Sequence, residues 1–214
     1  MNLSAVALLP TRPQTGNWYR VTDPRYLRSA ISTTHTSVVP SRFYDPYVAS
    51  PQFGTLYLSD HPIVAQFEAQ VLLGSPLTLG GSVPAPRSGW VIVRVAVSLS
   101  EIVDLSDLAA QAVLDASVQE LTGDWEGYRY RSPATNVKAP VGTAPTRHLG
   151  EAIHRDTRTP EGFLAVSARV SNHRNLVVFP DHLRTGSYVE YEWEDQAGTH
   201  RYRVDRDHQD GTDV

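Results

Sequence analysis

Apolar residues recur along this chain with two periods, and the periods lay out its elements. From residue 60 to about Leu73 the spacing is helical, with Ile63, Val64, Phe67, Val71 and Leu72 on one stripe. Asp60 is placed to cap that helix and Pro62 to occupy its first turn. Glu68 falls on the stripe between Val64 and Leu72, where an apolar residue is expected. A carboxylate at the edge of a core is costly without a partner, so Glu68 should have one, or a chemical task. A second helical stretch covers Leu108 to Leu121, with Ser106 as its cap and Gly123 as its stop. A third covers about Thr146 to Arg155.

The other period is two. Val91, Val93, Val95 and Val97 alternate with Ile92, Arg94, Ala96 and Ser98, predicting a strand from Trp90 to Val97. Asn17 to Val21 reads as a first strand, followed by a short helix after Pro24. The compact apolar run Gly54 to Ser59 reads as a buried strand. Gly162 to Val170 and Asn175 to Phe179 read as inner strands. Tyr188 to Trp193 and Thr199 to Val204 read as a hairpin joined through Asp195-Gln196-Ala197-Gly198. Residues 32–53, 74–89 and 124–145 are rich in loop-forming residues, and Asp205 to Val214 reads as a frayed tail. The sum is a single α+β domain over residues 1–214.

On the strand from Phe163 to Val170, Leu164, Val166, Ala168 and Val170 share one apolar face. Ser167 and Arg169 lie on the other with Phe163 and Ala165, and a polar pair on an inner strand suggests a cleft floor. Taken singly, Glu68 reads as a structural ion-pair acid, Tyr57 as a core aromatic, Arg20 as a sheet-edge charge and Ser167 as part of a solvated face.

Composition narrows the setting. The 214 residues suffice for one sizeable core, and 41% hydrophobic with 20% charged residues is ordinary for a globular protein. A formal net charge of -4 argues against a general binder of nucleic acid or anionic membrane. The basic residues are nearly all arginine, with Lys138 the sole lysine, and arginine is the better bidentate clamp for phosphate. There is no cysteine, which removes disulfides, thiolate catalysis and cysteine-based zinc sites. Met1 to Pro10 lacks the features of a signal peptide, and no stretch approaches the roughly 20 apolar residues of a membrane helix. The expected location is the cytoplasm.

The order of motifs resembles the RES domain. A Tyr-Arg strand (Tyr19, Arg20) comes first, then Arg42-Phe43, then Leu56-Tyr57-Leu58-Ser59 and a helix containing Val64-Ala65-Gln66-Phe67-Glu68. A late Val166-Ser167 strand follows, then Asn175-Leu176-Val177-Val178-Phe179-Pro180-Asp181-His182. The resemblance covers about Trp18 to His182. It implies an ADP-ribosyltransferase-like mixed sheet with flanking helices, with residues 17–182 as the core, 124–160 as an insertion and 183–214 as a hairpin and tail. Two departures stand out: Pro40-Ser41 replaces the glycine pair common before the family arginine, and the stretch 124–160 is longer than the family pattern; Phe179 also stands where Asn is usual.

By the same resemblance the matching site residues are Arg42, Glu68 and Ser167, with Tyr57 before the helix and Arg20 as a second arginine. The family activity is breakdown of NAD at the nicotinamide–ribose bond by phosphate or water, in toxins neutralised by an Xre-type helix-turn-helix antitoxin. The resemblance then makes NAD a substrate and phosphate a co-substrate, with no metal. Glu68 would stabilise the ribosyl cation, Arg42 and Arg20 would hold the pyrophosphate, and Tyr57 and Ser167 would contact nicotinamide or ribose.

Other readings remain open at this level. A protein mono-ADP-ribosyltransferase uses the same anomeric chemistry, and a non-catalytic binding partner could retain the fold. A serine hydrolase lacks its Gly-x-Ser-x-Gly elbow. His148 and His154, six apart, do not share a helix face as metal ligands and read as surface or loop histidines; Gly80-Gly81 lacks the signature of a phosphate loop.

Overall fold

The computed structural model describes residues 1–74, 82–84, 89–127, 143–209 and 212–213. The Gly80-Gly81 pair and most of the loops expected over 74–89 and 124–145 lie outside these residues. Among the described residues ten strands run in chain order: β1 (Thr11–Thr22), β2 (Leu56–Ser59), β3 (Leu72–Gly74), β4 (Ser82–Pro84), β5 (Val91–Asp104), β6 (Gly162–Val166), β7 (Arg174–Val178), β8 (Tyr188–Asp195), β9 (Gly198–Asp205) and β10 (Thr212–Asp213). The helices are α1 (Pro62–Glu68), α2 (Leu108–Val113), α3 (Val118–Thr122) and α4 (Pro145–His154), with short 3₁₀ turns at Leu3–Leu8, Pro24–Ser29 and Pro180–His182.

The main sheet runs β1-β2-β7-β6-β5-β8-β9-β10, and β1 also pairs with β5. Strands β1, β2, β7, β6 and β5 therefore close a ring, every pairing antiparallel except β5 with β6. The small pair β3–β4 stands apart. Alternation along β2, β6 and β7 splits the core. Leu56, Leu58, Leu164, Leu176 and Val178 point to one side, with Trp18, Val95, Val189 and Val204. Phe163, Ala165 and Val177 point to the other, under Leu149 and Ile153 of α4 and Leu114 and Leu121 of the preceding helices. Each large side chain so buried contributes roughly 1.5–3 kcal/mol.

The strands expected from alternation are present, and most are longer. Three helical expectations change. The helix expected to reach Leu73 stops at Glu68 in a Schellman turn: Val71 N–H donates to the Gln66 carbonyl at 2.9 Å and Gln70 N–H to that of Phe67 at 3.1 Å. Gln70 takes the left-handed conformation (φ 56°) that glycine usually fills. The cap of α1 is His61, whose Nδ1 accepts from Ile63 N–H; Asp60 instead accepts from Arg174 N–H and bonds His173, fastening β2 to β7. Ile63 is exposed.

The stretch expected as one helix from Leu108 to Leu121 is two. Asp115 at φ 47° breaks it, Asp107 rather than Ser106 caps α2, and Ser117 with Glu120 forms a capping box on α3. The strand expected to reach Val170 ends at Val166, because the Ser167 hydroxyl accepts from Arg169 and Val170 N–H and starts a turn. At the C-terminus, Val189, Tyr191 and Val204 of the hairpin are core residues rather than an appendage, and Thr212–Asp213 pairs with β9 instead of fraying. Part of the expected insertion over 124–160 is core as well, since Leu149, Ile153 and His154 of α4 are buried; His154 is not a surface histidine, whereas His148 is exposed.

Gly150 lets α4 lie directly on the loop that holds Arg42, as a Cβ there would meet the Phe43 carbonyl oxygen at 1.9 Å. Alanine in a helix interior ordinarily gains about 1 kcal/mol over glycine. Here Gly150→Ala is expected to destabilise by about 1–3 kcal/mol, read from the urea midpoint. A raised midpoint would show that α4 does not pack this closely.

Candidate active site

A cleft of about 320 Å³ opens on the face of the sheet beside α1 and the 32–53 loop, lined by Arg20, Arg42, Tyr57, Glu68, Arg169 and Asn175 among others. Four of the five residues singled out in the sequence line it. The fifth, Ser167, lies just behind Glu68.

Glu68 is the last residue of α1, anchored by Val64 and Phe67, which pack on Val170. Its Oε1 accepts from the Ser167 hydroxyl at 2.6 Å and from Asn175 Nδ2 at 2.8 Å. Asn175 is itself oriented by Ser59, whose hydroxyl donates to Asn175 Oδ1 at 2.8 Å. Among the described residues Oε2 accepts no hydrogen bond. The carboxylate is thus held by one oxygen and keeps the other for a ligand. The burial cost anticipated for this acid is met by Ser167, Asn175 and the cations around it.

Those cations are arginines without carboxylate partners among the described residues. Arg20, half-buried on β1, donates to the Tyr57 carbonyl at 3.3 Å. Burial pulls its pKa down to about 10, which leaves it charged at neutral pH. Arg42 donates from Nη1 to the carbonyls of Gly123 at 2.5 Å and Leu121 at 3.4 Å. Burial lowers its pKa too; Glu68 and Tyr57 act against that shift, and the like charge of Arg169 adds to it. Arg169 is exposed at the cleft edge. Three arginines against Glu68 and Glu126 give the described lining a positive balance suited to an anion.

The Arg42 loop has no regular structure, so its geometry comes from its fastenings. The Tyr57 hydroxyl bonds the Ser41 hydroxyl at 2.6 Å and accepts from Phe43 N–H at 3.2 Å, gripping the residues on both sides of Arg42. From α4, Thr146 donates to the Arg42 carbonyl at 2.7 Å and Arg147 to that of Ser41 at 2.9 Å. Arg147 also pairs with buried Asp45, and its guanidinium lies 4.7 Å from the Trp125 ring centre. These bonds hold a loop whose sequence lacks the glycine pair common in the resembling family.

Tyr57 was expected to face a nicotinamide or ribose. Its ring does line the cleft, but its hydroxyl is occupied by the loop. Burial pushes the phenol up to about 12, so it stays protonated. Asn175 and Arg169 belong to the site although neither was a candidate. Asn175 opened a recognised segment and Arg169 shared a face with Ser167, but the contact of Asn175 with Glu68 spans 107 residues. No described residue forms a helix long and apolar enough to cross a membrane.

The fold is the α+β mixed sheet with flanking helices expected from the sequence, with this cleft on one face. A family model described as the RES domain matches residues 17–204, and the chain belongs to that family. Among solved structures, one similar chain comes from the M. tuberculosis MbcT–MbcA toxin–antitoxin complex. It is 18% identical, with a TM-score of 0.56, over 82% of this chain and 80% of the other; at that identity the likeness concerns the fold. A search of curated proteins returns no match.

Tyr57→Phe keeps the ring and removes both loop bonds. It is expected to cost about 1–3 kcal/mol in chemical denaturation. A loss no larger than that of an exposed Tyr26→Phe control would mean the loop does not depend on the hydroxyl.

Proposed function

We propose that this chain is a toxin-type enzyme that cleaves the nicotinamide–ribose bond of NAD, passing the ADP-ribosyl group to phosphate or water. The observation that carries this reading is the Glu68 carboxylate, fixed through Oε1 with Oε2 open to a cleft edged by Arg20, Arg42 and Arg169. As the C1′–N bond breaks, its electron pair goes to the nicotinamide nitrogen and quenches that cation. Positive charge then develops on the ribose. A carboxylate already in place stabilises that charge more than it stabilises the bound substrate, and it needs no reorganisation at the moment of reaction. The arginines offer hydrogen-bond forks for the pyrophosphate, and one of them would orient an attacking phosphate.

Ser167 acts through Glu68 and not as a nucleophile, because its oxygen accepts from Arg169 and Val170 N–H and lies outside the cleft lining. The same anomeric chemistry with a protein side chain as acceptor defines the protein mono-ADP-ribosyltransferase alternative. The toxin–antitoxin complex of the structural neighbour supports an antitoxin partner, which we take to be of the Xre helix-turn-helix type and to meet this chain in the cytoplasm.

The direct test incubates purified protein with NAD, with and without phosphate, and follows nicotinamide together with ADP-ribose or its 1″-phosphate. Glu68→Gln should lower kcat by about 10²–10³; full activity in that variant would sink the mechanism. Ser167→Ala should lose about tenfold or more, since a hydrogen bond to a charged group is worth about 1.5–3 kcal/mol. Transfer to protein without free product would favour the alternative.

The pH profile gives a separate check. Arg20, depressed to about 10, and Tyr57, raised to about 12, both keep their neutral-pH states below those values. KM for NAD should therefore rise as pH passes about 10 and Arg20 loses its cation. A lysine at this position, with its lower intrinsic pKa, should move the rise to lower pH.

A further inference from the structure

On the far end of α4, three side chains from two segments meet. His154 Nε2 lies 2.8 Å from Asp181 Oδ2, and the His154 ring stacks on that of His182 with centroids 4.2 Å apart. One donor atom from each of the three lies within 4.8 Å of the others. None of the three lines the Glu68 cleft. We propose that His154, Asp181 and His182 bind a divalent transition-metal cation of the zinc class, joining α4 to the 3₁₀ turn Pro180–His182.

Two imidazoles and a carboxylate suit a borderline cation such as Zn²⁺ or Co²⁺, with water as a fourth ligand. The tautomer of His182 favours this use. Its Nδ1 is 3.0 Å from the Pro160 carbonyl, which can only accept, so Nδ1 carries the proton and Nε2 presents a lone pair.

His154 is held in place, sandwiched between His182 and Phe53, whose ring centre is 3.8 Å away. A tetrahedral site with bonds near 2.0–2.1 Å needs donor separations of roughly 3.4 Å. The required rearrangement falls on Asp181 and His182, which are exposed and half-exposed: a metal lies in the plane of each imidazole that binds it, so the His182 ring must turn out of its stack on His154. The cation would take the place of the hydrogen bond between His154 Nε2 and Asp181 Oδ2, the imidazole proton moving to Nδ1. An open depression of about 500 Å³ lined by Asp181 and His182 gives access. The arginines on its border are engaged, Arg184 with Glu101 and Arg206 with Thr185.

The topology explains why the site escapes a reading of local spacing. His154 closes a helix and His182 follows β7, 28 positions later, and only the packing of α4 on β6 and β7 brings them together.

The test uses untagged full-length protein stripped with chelator, titrated with ZnCl₂ by calorimetry and with Co²⁺ by visible absorption. The expected result is one equivalent bound, tetrahedral Co²⁺ bands, and a Tm rise of roughly 5–10 °C at hundredfold excess over Kd. His182→Ala and Asp181→Asn, both peripheral and expected to fold, should each weaken binding by more than about tenfold. His200→Ala, removing a histidine elsewhere on the surface, should leave it unchanged. No stoichiometric binding, binding that survives both substitutions, or loss in His200→Ala would each overturn the proposal.

Discussion

One oxygen of Glu68 takes two hydrogen bonds, and the placement of the site rests on them. Ser167 and Asn175 reach this acid from beyond the end of β6 and from β7, and Ser59 sets the amide of Asn175 from β2. Four segments thus converge on a single carboxylate. Its position is fixed by the sheet and not by the short helix that carries it. A seven-residue helix is marginal by itself, so its direction has to come from tertiary partners. The Schellman turn at Gln70 ends α1 directly after Glu68, and its residues Ala69 and Gln70 line the cleft as well.

A second layer of constraint positions the arginines. The loop bearing Arg42 is secured by Tyr57 from beneath and by Thr146 and Arg147 from α4, with Gly150 permitting the close approach. Positive charge is therefore brought near Glu68 by hydrogen bonds to backbone on either side of Arg42. Burial works against the charged form of Arg20 and Arg42, and a bound anion would offset that cost.

Most of this could be read in the sequence. Alternation located the strands and helical spacing located Glu68, whereas the strand face expected to carry Ser167 and Arg169 gives way to a turn after Val166. The inaccessible parts share a cause. Helix ends at Gln70 and Asp115 depend on left-handed backbone at residues other than glycine, which no local pattern announces. The Ser167 turn depends on where its hydroxyl finds N–H groups. The roles of Asn175, Thr146 and Arg147 exist only through contacts spanning about a hundred residues.

The closed ring of strands has a consequence for synthesis. Strand β1 at residues 11–22 pairs along its length with β5 at residues 91–104, and β2 at residues 56–59 pairs with β7 at residues 174–178. A chain emerging N-terminus first therefore makes Arg20, Arg42 and Glu68 long before Ser167 and Asn175. The cleft cannot assemble until residue 175 has left the ribosome, so the nascent chain carries those three charges for most of its synthesis without the geometry that unites them.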